Sequence, residues 1–248
     1  MMKILLNPKY KYLEAYISSI PIRFDLEGEK IYESRNVVKV MSVNGFLVNV
    51  KRYGIPLFIN RIVYSFFRKP KGIRAFYYPE ILLGKGIQTP EPIAYIEKKT
   101  CGLLGYSFFI SVQCPYRYNF YEFGDADIKD CGDVITAFAR FTARLHEAGI
   151  LHRDYSPGNV LFDKVESQYQ FSIVDINRMS FGNVSVKRGC ASFSRFWGQR
   201  PMFELLAKEY ALARGADVDK CIEWVMTSRK KFWSKYMKKH EVRFKLDL

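Results

Sequence analysis

The chain has 248 residues, of which 48% are hydrophobic and 16% aromatic, enough apolar side chains for the core of one compact domain or two closely joined lobes. Its formal net charge of +14 favours an anionic partner, such as a nucleotide, nucleic acid, phospholipid or acidic glycan, without choosing among them. The sequence lacks a long apolar run for a membrane span and an apolar N-terminal stretch for a signal peptide. Five scattered cysteines without a CxxC pair argue against a zinc site and a disulfide framework, so we expect a protein of the reducing cytosol.

The first part of the chain is dominated by strand patterns. The turn dipeptide Asn44-Gly45 lies between two β-branched segments and predicts a β-hairpin. A weak helical pattern covers residues 71–86 and contains Pro79. The predicted strands cover residues 35–41, 46–53, 89–100 and 105–114.

The second part of the chain is dominated by helix patterns. Apolar residues at intervals of four, three and four predict an amphipathic helix from about residue 130, which Gly149 ends. The features that follow are a polar loop at 152–159, a short strand at 160–162, a hairpin into 169–176 and helices after about residue 200.

These patterns predict an α+β fold with two lobes. The N-terminal lobe, residues 1–112, is β-rich with one helix, and the C-terminal lobe, residues 113–248, is mostly helical with a short C-terminal part. The boundary near residues 113–115 is a candidate hinge, and a cleft between lobes is where we expect a ligand.

The segment LHRDYSPGNVLFD interrupts an apolar pattern with polar residues. Polar side chains that are buried without partners cost free energy, so such an interruption more often reflects chemistry than packing. The H-R-D tripeptide ends at Asp154, Asn159 follows after four residues, and Asp175 ends an apolar strand further along. This set resembles the catalytic core of the protein-kinase-like fold. The alternative is a β-hairpin whose loop happens to be polar.

Phosphoryl transfer explains these residue types. The carboxylate of Asp154 can orient and deprotonate an acceptor hydroxyl as the catalytic base. Asn159 and Asp175 supply amide and carboxylate oxygens that can hold Mg²⁺ against the phosphates of ATP. We expect His152 to support the backbone of the loop rather than to act in catalysis.

A kinase-like site also requires a lysine on a strand of the first lobe. Lys51, on the second strand of the Asn-Gly hairpin, is the candidate ligand of the α and β phosphates, and Lys39 on the neighbouring strand is its competitor. Glu80 is the candidate partner of Lys51, because it is the sole acid between Lys51 and Gly86. A solvated helix position explains Glu80 equally well.

Some kinase features are missing. Residues 27–36, EGEKIYESRN, contain one glycine, Gly28, where a G-x-G-x-x-G loop is expected, so phosphate contacts would come from Ser34, Arg35 or the backbone. Ile-Asn rather than Phe-Gly follows Asp175, and no A-P-E segment follows. The absence of A-P-E agrees with a glycan or small-molecule acceptor, since peptide kinases use that segment to build a peptide platform.

Four segments resemble the bacterial lipopolysaccharide core kinases, the Kdo and heptose kinases. These segments are PGN within HRDYSPGNVLF, INRIVYSFFRKPK (59–71), GIQTPEPIAYIE (86–97) and VDINRM (174–179). The resemblance implies an ATP:alcohol phosphotransferase that phosphorylates a sugar hydroxyl of the lipopolysaccharide inner core at the cytoplasmic face of the inner membrane. It implies that Asp154 is the base, that Asn159 and Asp175 bind Mg²⁺, and that Lys51 binds ATP.

The C-terminal segment, residues 228–248, is strongly basic and contains interleaved aromatic residues. Such a helix can lie on an anionic membrane surface and give a peripheral contact with the inner membrane. It can equally be an ordinary C-terminal helix with packed aromatic rings and solvated lysines. A second basic run comprises Arg61, Arg68, Lys69, Lys71 and Arg74.

Other functions stay open at this stage. The first is a kinase that acts on another small molecule or on a protein. The second is a catalytically inactive kinase-like binding protein, which the missing glycines favour. Nucleic-acid binding is disfavoured, because no nucleic-acid motif accompanies the charge, and no obligate protein partner is inferred.

Overall fold

The computed structural model describes residues 2–59, 61, 70–242, 244 and 246–248. The chain divides into two compact units, residues 1–115 and 116–248. Arg68 and Lys69 of the second basic run, and most of the family-like segment 59–71, lie outside the described residues.

The first unit contains a six-stranded antiparallel sheet with the strand order β1-β5-β6-β4-β3-β2. The strands are β1 (Met2–Leu6), β2 (Glu29–Glu33), β3 (Asn36–Val43), β4 (Phe46–Tyr53), β5 (Pro92–Thr100) and β6 (Leu103–Val112). The helices of which the structure describes every residue are a 3₁₀ helix (Pro8–Leu13), α1 (Glu14–Arg23) and α2 (Lys71–Leu83).

The Asn-Gly hairpin is confirmed. Val43 pairs with Phe46 across the turn between β3 and β4. Asn44 and Gly45 have φ values of 52° and 76°. Both values lie in the left-handed region that a two-residue hairpin turn of this kind requires, and asparagine and glycine tolerate it best.

The two faces of the sheet pack against different helices. On one face, buried residues of β4 and β6 form the core with α1, and Val50 and Phe24 belong to that cluster. On the other face α2 packs so closely that a Cβ atom on Gly72 would lie 2.1 Å from the Tyr95 ring. Helix α2 continues through Pro79, which is buried, and ends three residues before the predicted limit of residue 86.

The second unit is built on a long helix and short strands. The predicted helix near residue 130 is confirmed as α3 (Ile128–Glu147), and the Asp127 side chain accepts a hydrogen bond from Lys129 N at its start. The strands are β7 (Tyr118–Asn119), β8 (Ile150–His152), β9 (Val160–Val165), β10 (Gln168–Ile173) and β11 (Met179–Phe181). The further helices are α4 (Val186–Ser192), α5 (Arg200–Ala213) and α6 (Val218–Tyr236).

Helix α6 buries one aromatic ring and partly buries three others, those of Trp224, Phe232 and Tyr236. Trp233 of α6 is 2% exposed, and its ring centre lies 4.3 Å from that of Trp197. The lysines of the same region are exposed, namely Lys230, Lys231, Lys235, Lys238 and Lys239. This arrangement is that of a packed helix with a basic outer surface. Within the described part of the chain, no helix has the length and hydropathy needed to cross a membrane.

Candidate active site

His152 joins the two segments that carry the candidate catalytic residues. Its Nδ1 accepts a hydrogen bond from Asp154 N at 3.0 Å, and its Nε2 donates to Val174 O at 3.2 Å. These two contacts require the neutral tautomer with the proton on Nε2. Burial lowers the pKa of His152, which favours the same neutral form. His152 therefore supports the backbone on both sides of the site.

Asn159 and Asp175 are brought together by the β9–β10 hairpin. Val160 pairs with Ile173, and Val174 N donates to Asn159 O at 3.0 Å, so Asn159 lies beside the residue that precedes Asp175. The Asn159 side chain donates from Nδ2 to the Asp154 backbone carbonyl at 2.8 Å. This bond orients the amide group and turns its Oδ1 away from that carbonyl. The amide oxygen and the Asp175 carboxylate are hard oxygen donors, which fit Mg²⁺.

The backbone at Asp175 is unusual. Asp175 has a φ of 53°, in the left-handed region, and precedes the 3₁₀ turn Ile176–Arg178. Asn177 donates from Nδ2 to Asp175 Oδ1 at 2.5 Å, and Asn177 itself is 4% exposed. The asparagine of the VDINRM segment therefore fixes the orientation of the aspartate carboxylate.

The side chain of Asp154 is held by two arginines. Arg178 donates from Nη1 to Oδ2 at 3.1 Å, and Arg195 donates from Nη1 to Oδ1 at 2.5 Å. The sequence analysis did not assign a role to either arginine. Arg178 lies in the quoted VDINRM segment, so its position was a usable signal. Arg195 lies in a region without a motif, and nothing in the local pattern indicates its contact.

The sheet places the two candidate lysines on opposite faces. Lys39 pairs with Val50 on the face covered by α1, and its Nζ donates to Glu27 O at 2.9 Å. Lys51 follows Val50 in the strand and therefore projects from the other face. Its Nζ lies 5.5 Å from the centre of the Tyr53 ring. Lys39 therefore belongs to the face that packs against α1, and Lys51 stays the predicted ligand-binding lysine.

Two carboxylates are relevant to Lys51. Glu80 is exposed on α2 and forms no ion pair with any residue that the structure describes, so its pairing with Lys51 stays a prediction. Glu97 is buried and accepts a hydrogen bond from the Tyr95 hydroxyl at 3.1 Å. Lys51, Phe109 and Tyr95 are in register across β4, β6 and β5, so Glu97 projects from the same face as Lys51. Glu97 is the last residue of the family-like segment 86–97, so its position was a usable signal that the sequence analysis left unassigned.

The expected phosphate loop corresponds to the turn between β2 and β3. Ser34 and Arg35 are both exposed there, and Ser34 N donates to Asn36 O at 3.0 Å. Gly28 precedes β2 with a φ of 82°. This segment is therefore a tight turn formed by Ser34 and Arg35, not a glycine-rich loop.

Comparison with known proteins identifies the fold. No family model matches the chain, and no curated protein matches it. The structure of WaaP in complex with acyl carrier protein is similar, with a TM-score of 0.58 and 16% identity over 93% of this chain and 99% of that chain. A candidate aminoglycoside phosphotransferase from Ralstonia eutropha is also similar, with a TM-score of 0.51 and 11% identity over 86% of this chain and 83% of that chain.

The chain therefore has the protein-kinase-like fold. The predicted class is confirmed, since an antiparallel sheet forms the N-terminal part and helices dominate the C-terminal part. At these identities the likeness establishes the fold alone, and the activity is a separate question.

Proposed function

We propose that this protein is an ATP-dependent kinase that phosphorylates a sugar hydroxyl of the lipopolysaccharide inner core, on Kdo or heptose. The arrangement of Asp154, Asn159 and Asp175 carries this proposal. One hydrogen-bonded unit, centred on His152, links the candidate base to the two candidate metal ligands. A polar hairpin loop without a chemical role does not require this set of contacts.

The proposed reaction uses four residues as proton acceptor, metal ligands and phosphate ligand. Asp154 accepts the proton of the acceptor hydroxyl while the hydroxyl oxygen bonds to the γ-phosphorus of ATP. The bond from that phosphorus to the β–γ bridging oxygen breaks, and ADP takes its electron pair. Asn159 and Asp175 would hold Mg²⁺, which would supply neutralisation of the phosphate charge. Lys51 binds the α and β phosphates through its ammonium group.

The acceptor is assigned by the sequence resemblance to the lipopolysaccharide core kinases. The basic surface of α6 supports an anionic glycan and a location at the cytoplasmic face of the inner membrane, since its exposed lysines attract anionic headgroups. Trp233 of α6 is buried, and Trp224, Phe232 and Tyr236 are partly buried, so the proposed contact with the membrane rests on the exposed lysines and is peripheral.

A second candidate function is phosphorylation of a different small molecule. The observation that favours it is the fold shared with a candidate aminoglycoside phosphotransferase. An acceptor screen that includes Kdo-containing and heptose-containing glycans, simple sugars and aminoglycosides separates the two functions.

Ligand-induced thermal stabilisation tests the nucleotide site before any acceptor is known. We expect ATP to raise the melting temperature in the presence of Mg²⁺, and Asp175→Asn to lose this shift. Asp125→Asn, which alters an exposed aspartate of the same unit, should keep it. Absence of a shift at millimolar Mg·ATP in the unaltered protein would contradict the proposed nucleotide site and favour a kinase-like binding protein without catalytic activity.

A further inference from the structure

Two guanidinium groups meet one carboxylate at the candidate base. Arg178 contacts Oδ2 of Asp154 and Arg195 contacts Oδ1, at 3.1 Å and 2.5 Å. The arginines come from separate elements, the 3₁₀ turn after Asp175 and the 3₁₀ helix Phe193–Arg195. Within the described part of the chain, neither arginine forms an ion pair with a second carboxylate. The two guanidinium groups and the one carboxylate therefore leave an excess of one positive charge at this cluster.

The position of Arg195 is fixed by the packing of α6. Arg229 of α6 is fully buried and donates to Phe196 O at 2.6 Å and to Gly198 O at 3.1 Å. The guanidinium carbon of Arg195 lies 5.3 Å from the centre of the Phe232 ring. A cation above an aromatic face is attracted by the ring quadrupole. Arg195 is thus held by a buried hydrogen-bonded segment on one side and by an aromatic ring on the other.

Both arginines keep unused donors beside Asp154. A guanidinium has five N–H donors, and among the described residues each arginine donates to Asp154 through Nη1 and to no other side chain. The Arg178 and Arg195 side chains are 53% and 38% exposed, whereas Asp154 is 25% exposed. The unused N–H groups therefore border the accessible side of the carboxylate, where an oxyanion can reach them.

We propose that Arg178 and Arg195 form an oxyanion site that binds the phosphoryl group during its transfer. This inference rests on the proposed function. An acceptor oxygen within hydrogen-bond reach of Asp154 shares that carboxylate with both arginines. The phosphoryl oxygens are bonded to the phosphorus that the acceptor oxygen attacks, and they carry the charge of the transition state. Arginines at this position stabilise that charge without a large movement.

The decisive measurement uses a mimic of the transferring group. Aluminium fluoride bound with Mg·ADP resembles the planar phosphoryl group, and its binding is read as extra thermal stabilisation beyond that of Mg·ADP alone. We expect Arg195→Gln and Arg178→Gln to keep the Mg·ADP shift and to lose the extra shift. Arg144→Gln, which alters an exposed arginine on α3, should keep both.

Kinetics give the second measurement. We expect each of the two variants to lower kcat for the acceptor by about 10²–10³-fold, the usual effect of removing one donor to a developing oxyanion. The KM for the acceptor should not change, because the contact forms in the transition state. Arg195→Lys, which keeps the charge, should recover part of the loss.

Three results would overturn the inference. An unchanged aluminium fluoride shift in both variants would show that the arginines do not contact the phosphoryl group. A rise in KM restricted to acidic acceptors would assign them to an acidic group of the acceptor instead. Absence of any Mg·ADP shift in the unaltered protein would overturn the proposed function as well, so the two failures are distinguishable.

Discussion

Arg195 donates a hydrogen bond to the carboxylate of Asp154 at 2.5 Å, although 41 residues separate them along the chain. Arg195 is in turn positioned by α6, through Phe232 and through the buried Arg229 that binds the neighbouring carbonyls. The geometry of the candidate base therefore depends on α6, which carries no recognisable motif.

Replacement of the candidate base should separate chemistry from nucleotide binding. We expect Asp154→Asn to lower the rate of acceptor phosphorylation by about 10²–10⁴-fold, since an amide cannot accept the hydroxyl proton. The thermal shift with Mg·ATP should persist, because the candidate metal ligands are unchanged. Steady-state rates and thermal shifts measured on one preparation check both points, with Asp125→Asn as the control. Full activity in Asp154→Asn would contradict the assigned role.

Loss of the buried arginine should destabilise the second unit. Arg229 stacks on Phe203, with its guanidinium carbon 3.3 Å from the ring centre, in addition to its two hydrogen bonds. Arg229 is fully buried, and this burial lowers its pKa to about 9. We expect Arg229→Ala to lower the free energy of unfolding by about 2–4 kcal/mol, through a cavity and two unsatisfied carbonyl groups.

Urea unfolding measures this effect. The control is Lys230→Ala, which alters the next residue of α6, an exposed one, and should stay within about 0.5 kcal/mol of the unaltered protein. Equal stability of the two variants would mean that Arg229 does not anchor α6.

The sequence predicts the parts of the site that depend on local patterns. The apolar stripe of α3 and the Asn-Gly dipeptide determine their elements directly, because each relies on neighbours within a few residues. The spacing of the H-R-D and Asn159 positions likewise reflects one loop between two short strands. The family-like VDINRM segment brings Arg178 close to Asp154 through the pairing of β8 with β11, where Met179 lies opposite His152.

Other features escape sequence analysis because they depend on distant packing. Strand β1 is short and half-exposed, and it becomes a strand by pairing with β5, more than eighty residues away. Helix α1 contains Pro21, which weakens its local signal. The contact of Arg195 with Asp154 requires the docking of α6, and no spacing rule reports it.

Two glycines of the second unit should respond oppositely to alanine. A Cβ atom on Gly189 of α4 would lie 1.9 Å from the Tyr210 hydroxyl oxygen and 2.8 Å from His146 Nδ1, whereas one on Gly132 of α3 would meet Leu205 at 3.8 Å, an ordinary contact. We expect Gly189→Ala to destabilise the protein by about 1–3 kcal/mol through overpacking. Gly132→Ala should stabilise it by about 0.5–1 kcal/mol, because alanine is the better helix former. Thermal unfolding of both variants checks the sign, and destabilisation by Gly132→Ala would contradict the prediction.

The buried His146 should make stability depend on pH. Its Nδ1 accepts a hydrogen bond from the Tyr210 hydroxyl at 2.9 Å, and that hydroxyl accepts one from Arg214 at 2.8 Å. Burial first, and then the charges of Arg214 and Arg188, lower the pKa of His146 from 6.5 to about 3. The folded protein therefore keeps His146 neutral at pH values where the unfolded chain protonates it.

The direction of this pH dependence follows from the number of protons that each state binds. Between pH 6.5 and about 3 the unfolded state binds up to one more proton at His146 than the folded state does. The stabilisation of the folded protein by neutral His146 is therefore complete above pH 6.5 and is lost as the pH falls. The free energy of unfolding can change by at most about 1.4 kcal/mol per pH unit through this one residue. We expect the free energy of unfolding to fall less between pH 7.5 and about pH 5 in His146→Gln than in the unaltered protein. His240→Gln, at an exposed position, should show the same fall in the free energy of unfolding as the unaltered protein. Identical pH dependence in His146→Gln and the unaltered protein would show that His146 is protonated in the folded state, and the hydrogen bond from Tyr210 to Nδ1 would then not exist.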